Sequence, residues 1–151
     1  MESKARARVS TSRVLSEIRK ASSPDQATAF HSSCPALTLK DEIYDAMSKR
    51  SFRPKDVIRS CGIERSYFYH ILNGIRCPSR NMMLRLCLCI GTDLNETNRL
   101  LRLADHPVLY AKVRRDALLI YAIERHLTME QANQTLLEYQ EDPLYREESN
   151  G

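Results

Sequence analysis

Apolar side chains recur at helical spacing along most of this chain, and alternating runs of the kind that predict β-strands do not occur. Between Leu39 and Met47 the apolar positions share one helix face, and Thr38 followed by Asp41 has the spacing of a capping box. The pattern therefore predicts an all-α protein. The predicted helices are a short one near 12–20, one that begins after Thr38, one that begins at Pro54, and others at 65–72, 80–90, 94–104, 114–126 and 129–140.

Residues that stop helices separate these segments. Gly62 follows a short helix and can adopt the left-handed conformation of a tight turn. Asn73-Gly74 ends the next helix, and Gly91 ends the one after it. Two later helix starts have the spacing of a cap, namely Asp93 with Glu96 and Thr128 with Gln131.

The segment from Arg53 to Arg76 has the pattern of a helix-turn-helix, in which two short helices meet at a glycine. To bind DNA, such a segment needs apolar inward positions and polar outward ones. The inward positions are Val57, Ile58, Cys61, Ile63, Phe68 and Ile71. The outward positions of the second helix are Arg65, Ser66, Tyr69 and His70. The flanking candidates for phosphate neutralisation are Arg53, Lys55, Arg59, Arg76 and Arg80.

The stretch from Gly62 to Ser79 resembles the XRE family of lambda-repressor-like helix-turn-helix proteins. A glycine and an aliphatic residue precede the second helix, and Asn73-Gly74 and Pro78-Ser79 follow it. The resemblance covers about residues 38–104. It implies a five-helix domain that binds double-stranded DNA, reads the major groove with helix 65–72 and regulates transcription.

The same resemblance assigns roles to individual side chains. Arg65, Ser66 and His70 occupy the base-reading positions, and Tyr69 lies beside them on the groove side. Arginine can bond to guanine O6 and N7 together. Asn73 and Arg76 lie in the loop that contacts backbone phosphate, which sets the register of the protein on the duplex.

Three residues depart from the family pattern. Pro54 stands where a polar residue, commonly glutamine, bonds phosphate, and Leu72 stands where glutamate is common. Glu64 takes the place of a serine or threonine cap, and its charge would face the phosphates. The alternative function is therefore a protein-interaction adaptor, built on a helix-turn-helix scaffold that no longer binds DNA.

A shift of 35 residues lays Arg80–Tyr110 over Arg115–Tyr145 with six identical positions. This similarity indicates either a repeated helical hairpin or two hairpins that share an amphipathic pattern by coincidence. We expect a flexible basic arm at 1–36, the helix-turn-helix domain at 37–107, a helical hairpin at 108–145 and a tail at 146–151. The hairpin is the candidate surface for a homodimer.

Charge is distributed unevenly. The net formal charge is +4, with +4 in Met1–Lys20, +4 in Ser51–Arg80 and −5 in Thr128–Gly151. The middle of the chain therefore suits a phosphate partner and the C-terminal end does not. The first 20 residues are charged and lack a signal peptide's apolar run, so we expect a cytoplasmic protein.

Five cysteines and four histidines show no metal-ligand spacing. We expect reduced thiols, with Cys61, Cys87 and Cys89 acting as small core side chains. No membrane span, metal, cofactor or small-molecule ligand is expected. The chain carries no catalytic motif, so we expect no enzymatic activity.

Overall fold

Helices form all the regular structure of residues 11–33 and 38–146, which are the parts of the chain that the computed structural model describes. The predicted all-α class is confirmed for these residues. The chain divides into two compact units, Met1–Leu37 and Thr38–Gly151. The first unit contains α1 (Thr11–Lys20) and α2 (Pro24–Ser33). The second contains α3 (Leu39–Lys49), α4 (Pro54–Cys61), α5 (Arg65–Leu72), α6 (Arg80–Ile90), α7 (Leu94–Leu103), α8 (Arg114–Glu124) and α9 (Met129–Glu138).

The first unit holds one expected helix and one unexpected helix, and the two contact each other. α1 lies where the short amphipathic helix was predicted. α2 was not predicted, because Ser22-Ser23-Pro24 was interpreted as an interruption. In the structure Ser23 Oγ accepts the Gln26 N–H at 3.3 Å and Pro24 is the first helical residue. This combination is a helix start rather than a break. The first ten residues of the expected arm, and 147–151 of the expected tail, lie outside the described residues.

The core of the second unit is built around α6. This helix contacts α4, α7 and α9, and it is apolar on several sides, as expected for a central helix. Met83 and Leu84 of α6 are fully buried, and so are Phe68 of α5 and Leu101 of α7. α6 thereby joins the helices at 39–72 to those of the C-terminal end.

Helix ends follow local capping chemistry. Thr38 Oγ1 accepts the Asp41 N–H at 3.2 Å. The predicted caps at Asp93 and Thr128 are confirmed, and each forms a complete capping box. α8 and α9 end two residues before the expected positions, because His126 and Gln140 adopt left-handed backbone conformations with φ of 54° and 61°.

The helix pairs α6–α7 and α8–α9 carry the same internal bonds 35 residues apart. Asn98 Oδ1 accepts the Leu109 N–H at 3.0 Å, and Asn133 Oδ1 accepts the Leu144 N–H at 2.7 Å. The second residue after each of α7 and α9 also matches, since Asp105 has the same left-handed conformation as Gln140. The two pairs are therefore alike in backbone course as well as in sequence.

Two arginines at matched positions join one pair to the other. Arg80 donates from Nη1 and Nη2 to the two carboxylate oxygens of Asp116, at 3.1 and 3.0 Å. Arg115 donates to Asn81 Oδ1 at 2.8 Å. Asn81 and Asp116, which directly follow Arg80 and Arg115, are also 35 residues apart. Each arginine therefore bonds the residue that directly follows the other arginine.

Ion pairs with buried carboxylates attach α3 to α7. Arg50 donates from Nη1 and Nη2 to the Glu96 carboxylate at 3.1 and 2.6 Å, and from Nε to the Gly91 carbonyl at 2.8 Å. Arg99 Nε lies 2.9 Å from Glu42 Oε1. The first pair holds the end of α3 against the start of α7, and the second joins the first turn of α3 to the second half of α7.

Candidate nucleic-acid interface

The candidate interface is the segment α4–turn–α5. Pro54 fits the first turn of α4, where its missing N–H removes no helical bond. Gly62 has φ of 61°, a conformation that a side chain would hinder, and it turns the chain toward α5. Val57, Ile63 and Phe68 are buried on the inner side. Their burial leaves the opposite side of α5 to the polar residues.

The first turn of α5 presents two exposed polar side chains, Arg65 and Ser66. The Arg65 guanidinium carbon lies 5.7 Å from the centre of the Tyr69 ring. Tyr69 is half-buried and its ring packs edge-on to Phe68 at 6.0 Å. The contact with Phe68 therefore fixes the Tyr69 ring over which the Arg65 guanidinium lies. His70, one turn along, is half-buried.

The loop after α5 is held by its backbone and exposes its side chains. The carbonyl of His70 accepts the N–H groups of Ile75 and Arg76 at 2.9 and 3.1 Å. The side chains of Asn73 and Arg76 are exposed. Within residues 11–33 and 38–146, neither Arg65 nor Arg76 forms an ion pair. Both guanidinium groups are therefore available to an anionic partner.

A lysine that the sequence analysis did not assign to the site lies beside this loop. A groove of about 460 Å³ is lined by Lys40 together with Asn73 and Arg76. Lys40 is exposed and stands in the first turn of α3. The pattern around it indicated only a helix cap. The packing of α3 against α5 brings this third polar group to the same edge.

Arg53 and Lys55, the two candidates for phosphate neutralisation at the start of α4, differ in their surroundings. Arg53 Nε lies 3.2 Å from Asp56 Oδ2, and the Arg53 N–H donates to the same oxygen at 2.9 Å. The backbone hydrogen bond and then the side-chain bond from Arg53 lower the pKa of Asp56. Arg53 therefore faces a carboxylate, whereas exposed Lys55 forms no ion pair among the described residues.

Arg80 was predicted as a candidate for phosphate neutralisation, but in the structure its guanidinium bonds to other parts of the chain. Its side chain is 23% exposed and bonds Asp116 and the carbonyls of Pro107 and Val108. Burial raises the pKa of Asp116, but the bonds from Arg80 and from the Tyr110 N–H outweigh that effect and lower it. The Asp116 carboxylate is therefore charged at neutral pH, and the Arg80 guanidinium is bonded to it instead of facing an outside partner.

The expectation of reduced thiols at Cys61 and Cys89 is wrong, because the structure joins them in a disulfide. They are 28 residues apart in sequence, and the packing of α4 on α6 brings them together. Cys87 is a free buried thiol, as expected, and Cys77 is free and exposed. Cys34 lies outside the described residues.

Among the described residues, no group of three or more histidine, cysteine, aspartate or glutamate side chains is arranged to hold a metal ion. In that same part of the chain, the helices are too short or too polar to cross a lipid bilayer. No family model matches this chain, and neither does any curated protein or solved structure.

Proposed function

We propose that this protein is a sequence-specific DNA-binding transcriptional regulator that reads the major groove with α5. The observation that carries the proposal is the exposure of Arg65 and Ser66 at the first turn of a short helix that follows a tight turn. In a helix-turn-helix, the N-terminal residues of the second helix meet the base edges. In this proposal α3–α7 correspond to the five helices of a lambda-repressor-like domain, and α8–α9 extend it.

The side chains around α5 divide into base readers and phosphate binders. Arg65 can donate two hydrogen bonds to guanine, and Ser66 can bond a base or a phosphate. Lys55, Arg76 and Lys40 are exposed on either side of α5, where they would neutralise phosphates. Phosphate contacts would set the register of the protein on the duplex, and Arg65 would choose the sequence.

The test is selection of bound sequences from a random duplex pool, followed by affinity measurements at about 0.15 M salt. Arg65→Ala is expected to lower affinity for the selected sequence by about 1–3 kcal/mol and to relax choice at one base pair. Arg76→Ala is expected to weaken all sequences alike and to reduce the salt dependence.

The matched control is Arg114→Ala, because this exposed arginine pairs only loosely with Glu141, at 3.6 Å, on the C-terminal hairpin. It is expected to leave binding unchanged. An Arg65→Ala variant that loses selected and random sequences in equal proportion would contradict the base-reading role.

A protein-interaction adaptor is the second candidate, and Glu64 favours it. This residue is exposed directly before Arg65 and makes no side-chain cap bond to α5. It therefore places a negative charge at the helix end that would approach the phosphates. The same selection decides between the two functions, since an adaptor would enrich no duplex sequence.

We also propose a homodimer formed through the outer face of α8–α9. Tyr121 and Tyr139 are 48% and 51% exposed. Their counterparts 35 residues earlier, Leu86 and Ala104, are buried. The helix pair α8–α9 thus exposes two positions whose equivalents in or directly after α6–α7 are buried. Exposed apolar area of this kind marks association surfaces.

A second copy of this chain fits that face by composition. In Thr38–Arg146, large exposed apolar side chains are concentrated in α8–α9 and the loop before them, with Ile75 as the exception. A second copy therefore has the same face as its main apolar surface. Arg125 and Glu138, of opposite charge, are both exposed near it. In a two-fold dimer the same face of both copies meets, so Arg125 of one copy can face Glu138 of the other, and the reverse. A face that carries both charges is therefore self-complementary.

A further inference from the structure

The disulfide lies at the base of the segment α4–turn–α5. Cys61 is the last residue of α4, and Gly62 follows it directly. Cys89 lies on α6, with its Cα 5.8 Å from that of Cys61. The covalent loop that the bond closes contains the turn and all of α5. The bond therefore holds the residue from which the chain turns toward Arg65.

α4 is held mainly by one other helix. The helix has eight residues, of which only Val57 and Cys61 are buried. Its principal helix contact is with α6, whereas α5 packs mainly on α3. The bond to Cys89 lies within that α4–α6 contact. Breaking it would free α4 and the turn more than it would free the rest of the second unit.

We propose that the Cys61–Cys89 bond is a redox-sensitive latch that fixes α4 and the turn when oxidised and releases them when reduced. The consequence for DNA rests on the proposed function, since a released turn no longer holds Arg65 at one position. Where thiols are otherwise kept reduced, a disulfide is usually transient or redox-sensing.

The chemistry is thiol–disulfide exchange with a dithiol reductant. Cys61 is 1% exposed and Cys89 is half-buried, so the thiolate of the reductant attacks the Cys89 sulfur. The Cys61–Cys89 bond breaks, Cys61 leaves as a thiolate and takes up a proton, and Cys89 forms a mixed disulfide. The second thiolate of the reductant then attacks the mixed disulfide and displaces Cys89, which leaves as a thiolate and takes up a proton. The reductant is oxidised to its own disulfide, and the two electrons that it loses reduce Cys61 and Cys89 to thiols.

The remaining described cysteines do not compete for this exchange. Burial, opposed by the side-chain bonds from Thr92 and Thr97, raises the pKa of Cys87 to about 11. Its thiol stays protonated at neutral pH and does not attack a disulfide. Cys77 is exposed in the loop after α5 and lies outside the α4–α6 contact. It therefore supplies the matched control.

The first measurement is a thiol titration of the denatured, unreduced full-length protein. We expect three of the five cysteines to titrate, and all five after dithiothreitol. The second is amide hydrogen exchange of the native protein. Reduction, or the double substitution Cys61→Ser with Cys89→Ser, is expected to speed exchange in 54–64 at least about tenfold and to leave 115–138 unchanged. Cys77→Ser in the oxidised protein is expected to change neither region.

Five titrating thiols before reduction would overturn the proposal, and so would equal loss of protection in both regions or no loss at all. Exchange does not depend on DNA, so these outcomes are separate from those of the sequence selection. If the selection enriches a sequence, dithiothreitol is expected to lower affinity for it at least about tenfold in the wild type and not in the double variant.

Discussion

At the scale of single residues, the burial of charged side chains inside the second unit is the feature that the sequence indicates least. Glu42, Glu96 and Asp116 are 3–5% exposed, and each meets an arginine from another helix. An unpaired charge in such positions would cost far more than a surface charge. The buried carboxylates therefore depend on these arginines, whose side chains stay 23–43% exposed.

Glu96 is expected to make stability depend on pH. Burial raises its pKa, but the bonds from Arg50 and from the Asp93 N–H outweigh this and lower the pKa to about 2. Because the folded value lies below the ordinary value of 4.5, the contribution is complete above about pH 5 and is lost as the pH falls toward 2. Asp116 acts in the same direction.

The measurement is urea unfolding between pH 7 and pH 3. Glu96→Gln is expected to cost about 2 kcal/mol at pH 7, because it replaces the charged hydrogen-bond partner of the partly exposed Arg50 guanidinium by a neutral one. The variant is also expected to lose less stability on acidification than the wild type does. Glu124→Gln, at an exposed position without an ion pair among the described residues, is the control. Equal pH profiles for wild type and Glu96→Gln would contradict this account.

At the scale of helices, most of the starts and stops that have a local signal were predictable. The caps at Asp93 and Thr128 act within four residues of chain, and so does the turn at Gly62. α2 escaped prediction although its start is also local, because Ser23-Pro24 was interpreted as a break. Its sequence has little apolar periodicity to argue otherwise.

The start of α5 offers a prediction that separates capping from charge. Glu64 occupies the N-cap position without accepting a bond from the helix. Glu64→Ser is expected to be about 1 kcal/mol more stable than Glu64→Ala, because a serine hydroxyl can accept an N–H of the first turn. Both substitutions remove the charge, so both are expected to raise DNA affinity by the same factor.

Thermal unfolding and titration of the selected duplex measure the two effects. Equal stability of the serine and alanine variants would show that the α5 start gains nothing from a cap. Unchanged affinity in both would show that Glu64 does not face phosphate.

At the scale of the whole molecule, the exposed face of α8–α9 is expected to decide the oligomeric state. Sedimentation should give about twice the chain mass of 17.4 kDa for the wild type. Tyr121→Ser with Leu137→Ser, two residues about half exposed, is expected to weaken association by roughly 100-fold or more. Both positions are on the surface, so the fold should be retained.

Ile75→Ser is the control for this experiment, because Ile75 is 66% exposed but lies in the loop after α5. It is expected to leave the dimer intact. A monomeric wild type at the concentrations that bind DNA would contradict the homodimer, as would equal weakening by Ile75→Ser.

The sequence by itself determined the helical class, most helix ends, and the face of α5 that carries Arg65 and Ser66. These features depend on side-chain periodicity and on caps that act within a few residues. Tertiary structure alone decided that Cys61 meets Cys89 and that Arg80 turns inward to Asp116. Such partners lie 28 and 36 residues apart. They approach only when helices pack, and no local pattern encodes which surfaces will meet.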